Sequence, residues 1–412
     1  MVSQAACRAL KAGSILALMA TTGHAATFTA LGPTTLGANF FGPNGVSGDG
    51  TVVVGNSDSG PFRWTATTGA VLLTTLGGPS AATARRVSAD GNTLVGNNFG
   101  AGRAYRWSLG GGTELLPNIS FGGEGAFDVS ADGSVIVGNN SGTGALWSGG
   151  GVSALPPLAG GNESIAFGVS DDGLVAVGRA GFREQLAPDG GEGAVLGPLR
   201  NLATRWDAGQ PTALGVLPGG RNSRANAASA NGSVIVGTSD VGVLIDGFEF
   251  TTSEAFRWTA TGGLQPLGRS GAPLQPGQLA QSAALDISAD GKVIGGFAGF
   301  GGPAVNPGGG AAVWIGDSGP LQVFALLVAQ GATGLEGWTL DSVESVSADG
   351  RTLVGDGVFC VADTCRLQGW IATFDPVVVP APAAAWLFGS ALGLLGGLRR
   401  HQAAPSRLCP AG

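Results

Sequence analysis

Residues 84–116 read ARRVSADGNTLVGNNFGAGRAYRWSLGGGTELL, and the organisation of the chain follows from this stretch. Apolar residues gather in four short runs, 84–88, 93–96, 104–108 and 113–116, each too short for a helix. Between the first two stands Ala89-Asp90-Gly91. An Asp-Gly pair between apolar runs signals a tight hairpin, because glycine enters positive φ without steric cost. Runs such as Thr51-Val52-Val53-Val54 do not alternate with polar residues, which suits a sheet buried on both faces.

The hairpin signature recurs along the whole chain: VSGDG at 46–50, VSADG at 87–91 and 129–133, VSDDG at 169–173, ASANG at 228–232, ISADG at 287–291 and VSADG at 346–350. A second glycine follows each copy, at Gly55, Gly96, Gly138, Gly178, Gly237, Gly296 and Gly355. Successive copies start 41, 42, 40, 59, 59 and 59 residues apart, so the fourth, fifth and sixth units carry insertions, expected as loops at 179–204, 239–254 and 298–311. Seven units of this period with four short strands each predict an all-β fold, a seven-bladed β-propeller. Seven tryptophans fall on the third strand, Trp64, Trp107, Trp147, Trp206, Trp258, Trp314 and Trp370, and are read as packing between blades. The last unit ends near residue 374 without a fourth strand, while residues 27–32 read as a strand standing alone. That opening strand is expected to complete the last blade, leaving the ring no exposed edge.

Composition excludes much chemistry. Glycine makes up 76 of 412 residues, about 18% against a usual 7%, while charged residues are only 12%. The 43% hydrophobic content argues against disorder and for many short elements joined by turns. The only histidines are His24 and His401, both near the ends. The repeats therefore lack the histidine of a Ser-His-Asp or Cys-His mechanism or of a His-based zinc site. All 28 acidic residues and 16 of the 21 basic ones lie in 49–375, a net charge of −12 that repels nucleic acid. No cofactor and no metal site are expected.

The turn positions Asp49, Asp90, Asp132, Asp172, Asn231, Asp290 and Asp349 each follow a serine by two residues. Asn231 shows that the turn needs an acceptor oxygen rather than a charge, so these side chains are read as bonding their own turn backbone. Calcium is the sharper alternative, but one carboxylate per unit is too few for its six to eight oxygens. The pattern resembles the Asp-box of sialidase propellers, where the aspartate caps a turn on the outside of each blade. Arg63, Arg106, Arg205 and Arg257 precede tryptophans. A pair with the turn aspartate is not obligatory, since Leu146, Val313 and Gly369 replace the arginine where the aspartate stays; an optional surface or inter-blade contact remains. Cys360 and Cys365 are the cysteines of the repeat region, and four residues between them allow a local hairpin disulfide worth about 2 kcal/mol, two free thiols being the alternative.

Both ends read as processing signals. Arg8 and Lys11, an apolar run 13–20 and small residues through Ala25 and Ala26 form a signal peptide, 1–25, rather than a buried helix. Residues 376–412 form a tail in three parts: a Pro-rich stretch, an apolar run 383–398 and the basic pair Arg399-Arg400. The run VPAPAAAWLFGS, with Val379, Pro380, Pro382 and Ala383 at its head, resembles the PEP-CTERM class of sorting signals. This resemblance implies an exosortase as processing partner, transient membrane association through the C-terminal helix, and a Gram-negative host that makes exopolysaccharide or biofilm matrix. Ala381 stands where the class is named for Glu, and twelve residues, 401–412, trail the arginines. A plain membrane anchor is the alternative.

Within the repeat body, 26–375, residues 31–374 resemble the extracellular HAF repeats. AFRWTATGGLQPLG at 255–268 has their Ala-Phe-x-Trp strand and Leu-Gly ending, although Glu254 and Arg103 stand where the family has histidine. Taken together, these readings predict a protein carried through the inner membrane and periplasm to be secreted or held at the cell surface. It would be a non-enzymatic binding or structural propeller of the extracellular matrix, with exopolysaccharide or other matrix components as partners. The alternative is a glycosidase or lyase using carboxylates of the insertions, Glu184, Asp189 and Glu192 or Asp240, Asp246 and Glu249.

Overall fold

The second unit folds into strands Ala82–Val87, Thr93–Asn98, Arg103–Ser108 and Gly112–Leu115, paired antiparallel in that order. Six further four-stranded sheets repeat the pattern, and the seven form a seven-bladed β-propeller. The computed structural model describes residues 25–32, 41–119, 124–182, 185–186, 195–196, 200–245, 248–269, 279–300, 310–361 and 364–376. Thr27–Ala30 supplies the outer strand of the seventh blade, with Thr27 opposite Thr373 and Ala30 opposite Trp370. The ring is thus closed by the start of the chain, as the unpaired opening strand suggests. The signal peptide, the sorting residues Val379, Pro380, Pro382, Ala383, Arg399 and Arg400, and the tail helix lie outside the described residues. Among the described residues no helix is long and apolar enough to cross a membrane.

Both repeated glycines have a steric reason. The first sits at the turn with positive φ, 71° at Gly91 and 66–75° in the other six copies, where a Cβ would be strained. The second lies where the second strand passes under the first. A Cβ on Gly96 would stand 1.8 Å from the Thr83 carbonyl oxygen, and one on Gly355 1.9 Å from that of Ser342. The third-strand aromatics Phe62, Tyr105 and Phe256 fill the space beside this glycine and are fully buried.

Blades join through the tryptophans and the Leu-Gly or Leu-Pro endings. Trp107 donates its indole N–H to the Leu76 carbonyl (3.3 Å), Trp147 to Pro117 (2.7 Å), Trp206 to Pro156 (2.8 Å) and Trp314 to Leu267 (2.9 Å). Each bond ties a third strand to the end of an earlier blade's fourth strand. A buried indole needs such a partner. Trp64 and Trp258 are only half-buried.

The insertions are not loops where they are described. The fifth blade extends its central strands to Val234–Ile245 and Phe248–Thr259, in register from Val234 opposite Thr259 to Ile245 opposite Phe248. The fourth and sixth do the same with Val175–Phe182 against Arg200–Asp207 and Val293–Phe300 against Gly310–Ile315. Pairing satisfies backbone groups that a long loop would leave to water, which is why long structureless connections are uncommon. All three extensions leave the ring at the end opposite the signature turns.

Candidate functional site on the propeller axis

The signature turns do not lie on the outside of the blades, where the Asp-box resemblance puts them. Each joins the innermost strand of a blade to its second strand, so the seven converge on the axis. There the backbone forms a cycle. Gly48 N–H donates to the Ala89 carbonyl (3.0 Å), Ala89 to Ala131 (3.0 Å), Ala131 to Asp171 (3.1 Å), Asp172 to Ala230 (3.2 Å), Ala230 to Ala289 (3.0 Å), Ala289 to Ala348 (3.0 Å), and Ala348 back to Gly48 (3.0 Å). This ring narrows one end of the axial channel. Six of its positions hold Gly or Ala and the fourth blade holds Asp171; the small residues crowd one another, since a Cβ on Gly48 would stand 2.9 Å from that of Ala89.

Within each turn the serine and the acceptor two residues on bond one another and the backbone. Ser88 Oγ donates to Asp90 Oδ1 (2.5 Å) and accepts from Thr93 N–H (3.0 Å), while Asp90 Oδ1 accepts from Asn92 N–H (2.9 Å). Asp49, Asp132, Asp172, Asp290 and Asp349 repeat this, and Asn231 does so through its amide oxygen, which accepts from Ser233 N–H (3.0 Å). The Ser88 hydroxyl holds the Asp90 carboxyl below its usual range, and Ser130 and Ser134 hold Asp132 at about 2. The neighbouring arginines bypass these carboxylates. Arg63 reaches the Gly91 carbonyl of the next blade (3.3 Å) and Arg205 that of Gly232 (2.7 Å), whereas Arg106 pairs with Glu114 and Arg205 also with Asp207.

Above the ring the channel encloses about 90 Å³ of water-accessible space. Charge enters it from the residue two before the serine in three blades, Arg86, Asp128 and Asp286, and none of these was singled out by the repeat. The repeat aligns them at once, but its signature draws attention to what is constant rather than to this variable column. Arg86 donates to the Asn44 carbonyl and to that of Glu344 (3.2 Å), with Asp128 Oδ1 3.9 Å from its Nε. Asp128 Oδ2 accepts from Val169 N–H (2.9 Å). Asp286 Oδ2 accepts from the Ser345 hydroxyl (2.6 Å) and Val346 N–H (2.9 Å). Burial opposes the Arg86 charge, but Asp286, Asp128 and Glu344 outweigh it and raise its pKa. Burial, aided by Asp286, pushes Asp128 up to about 7.

A second acidic group lies in the seventh blade. Two bulges in Trp338–Val346 displace Asp341 and Glu344. The Ser342 hydroxyl touches both Glu344 Oε1 (2.6 Å) and Asp356 Oδ1. One hydroxyl proton serves only one of the two carboxylates at a time, and burial raises the pKa of Glu344. Asp341 is buried with Oδ2 unpartnered, and burial together with Asp356 pushes it up to about 7.

Among the described residues the insertion carboxylates form no such cluster. Asp240 Oδ2 accepts from Asn222 Nδ2 (3.0 Å), and Glu254 is buried against Arg269 (3.3 Å). Glu184, Asp189, Glu192 and Asp246, and the side chain of Glu249, lie outside the described residues. No three metal-capable side chains converge among the described residues. Cys360 and Cys365 face each other near the tip of the seventh blade's central hairpin and are joined as a disulfide.

No family model and no curated protein matches the chain. Among solved structures it is similar to hydrazine synthase of Kuenenia stuttgartiensis, at 14% identity and TM-score 0.43, covering 82% of this chain and 96% of that one. It is also similar to dipeptidyl peptidase 4 of Porphyromonas gingivalis, at 9% identity and TM-score 0.40, covering 78% of this chain and 50% of that one.

Proposed function

We propose that this propeller is a non-enzymatic binding or structural protein of the extracellular matrix, exported by its signal peptide and sorted by an exosortase through its C-terminal tail. The observation that carries the reading is the use made of the axial carboxylates. Asp128 and Asp286 accept backbone N–H groups of the following blade, so they act as staples between blades. A carboxylate so engaged is a poor general acid or base, because protonation or loss of its partner costs fold stability. The net charge of −12 in 49–375 and the absence of histidine from that segment agree with a role outside catalysis and outside nucleic acid. The Cys360–Cys365 bond favours an oxidising compartment.

Two measurements test this. Intact-mass analysis of extracellular protein should show loss of the first 25 residues and of the segment beyond about residue 382; retention of His401 would defeat the sorting reading. A glycan array beside a release assay on exopolysaccharide should give binding without liberated oligosaccharide. Release would favour a carbohydrate-active enzyme.

A further inference from the structure

The residue three before each turn serine lies at a β-bulge in all seven blades. Because the innermost strands run toward the signature turns, this layer lies farther from the closed ring than Arg86, Asp128 and Asp286. Four adjacent blades build one arc there. The Arg85 guanidinium lies over the Phe127 ring (5.7 Å), Phe127 stacks on Phe167 (5.8 Å, 26°), and Arg224 lies over Phe167 (5.9 Å). Both arginines are exposed and both rings half-buried.

The stack leaves a definite chemistry outward. Each ring has one face against a guanidinium and the other against its neighbour, so its positive edge remains for a ligand. A guanidinium lying on a ring keeps its N–H edge free to fork an anion. No ion pair is made by Arg85 or Arg224 among the described residues, although other arginines of the chain have them. Partial burial, and then the like charges of Arg86 beside Arg85 and Arg179 beside Arg224, lower both pKa values. In a segment with net charge −12, an arc of unneutralised arginines points to an anion from outside.

With the ring faces taken, a nucleobase or other flat ligand finds no platform. A ligand suited to the arc therefore carries its anionic groups on an extended chain, at least two of them to reach both arginines, and the polysaccharide of the matrix-binding reading supplies such a chain. We infer that the wide mouth of the channel binds a linear acidic oligosaccharide, its carboxylates held by Arg85 and Arg224 across the Phe127–Phe167 pair. This inference rests on the matrix-binding reading and names its ligand class.

The test is affinity electrophoresis of the full chain through gels containing polygalacturonate, dextran or polyglutamate. Retardation is expected in polygalacturonate alone and should weaken with salt. Arg85→Glu with Arg224→Glu should reduce affinity at least tenfold, while Arg106→Glu, on an arginine paired with Glu114 away from the mouth, should leave it unchanged. If the double variant does not fold, Arg85→Gln and Arg224→Gln taken singly, each expected to lower affinity about threefold, carry the test. Equal retardation by polyglutamate would replace the sugar with an acidic peptide, and an equal loss in Arg106→Glu would reduce the effect to bulk charge; either overturns the inference, as does no retardation at all. A neutral glycan bound on the array and indifferent to Arg85 and Arg224 would discard the arc and leave the matrix-binding reading standing.

Discussion

The two ends of the axial channel are built from residues only a few positions apart in every blade, yet one end is nearly the same seven times and the other spreads over five residue types. At the narrow end the residue after each serine, Gly or Ala in six blades and Asp171 in the fourth, takes part in a hydrogen-bonded cycle, so a change in one blade is felt by two neighbours. At the wide end the bulge residues are Asn44, Arg85, Phe127, Phe167, Asn226, Leu285 and Glu344, which no shared bond forces to agree. The repeat therefore marks what holds the ring together, and departures from it mark where a partner can be met.

The ring is closed twice, by the inner cycle through Ala348 and Gly48 and by the outer strand Thr27–Ala30. Deleting residues 27–31 leaves the first closure and removes the second. Leu31 is fully buried, and Phe28 packs at 5.2 Å on Trp338 and 6.2 Å on Trp370, so the expected loss is about 3–5 kcal/mol in chemical denaturation. An unchanged unfolding midpoint would mean that the inner cycle suffices.

A smaller change sharpens the contrast. Gly96→Ala drives a methyl into the Thr83 carbonyl at 1.8 Å and should cost about 3 kcal/mol or more, because the clash is with backbone that cannot turn aside. Phe127→Leu, in the half-buried wide layer, should cost about 1 kcal/mol or less and show instead in ligand affinity. Equal costs at the two sites would remove the distinction between the ends.

How much of this the sequence disclosed depended on repetition. Seven copies of Ser-x-Asp-Gly made the blade count, the turn and the closing strand readable, since each copy corrects the reading of the others. The Arg63 and Arg205 contacts were open because their acceptors are carbonyls of another blade, Gly91 and Gly232, and a carbonyl has no letter in the sequence. The fifth insertion reads as a loop because its glycines and polar residues outweigh its β-branched ones, whereas register pairing makes it strand. The arc of Arg85, Phe127, Phe167 and Arg224 comes from one bulge column and a neighbouring residue. Only the three-dimensional ring brings them side by side.

The turn itself separates acceptor from charge. Ser88→Ala removes the oxygen that accepts from Thr93 N–H (3.0 Å) and should cost about 1–3 kcal/mol through an unmet buried donor. Asp90→Asn keeps the acceptor, as Asn231 already does, and should cost about 1 kcal/mol or less by thermal melting. A large loss in the second variant would show that charge matters at the narrow end.

The ends also differ in how they titrate. Asp132 at the narrow end is held at about 2, so it stays ionised throughout ordinary pH and adds no slope there. Asp341, in the innermost strand of the seventh blade, is raised from 3.8 to about 7 by burial and by Asp356. Between those two values the folded protein holds this proton more tightly than the unfolded chain does. Its contribution is therefore full below 3.8 and is lost as pH rises through about 7. Raising the pH from 6 to 8 should then cost the protein about 1 kcal/mol, after allowance for partial solvent screening at this site. Asp341→Asn cannot ionise and should flatten that slope, so the stability difference between variant and parent shifts in the variant's favour as pH rises. Glu344, also raised by burial, remains in both proteins and cancels to first order in the comparison. Parallel stability curves from pH 6 to 8 would mean that Asp341 is already ionised at neutral pH and that burial does not hold its proton.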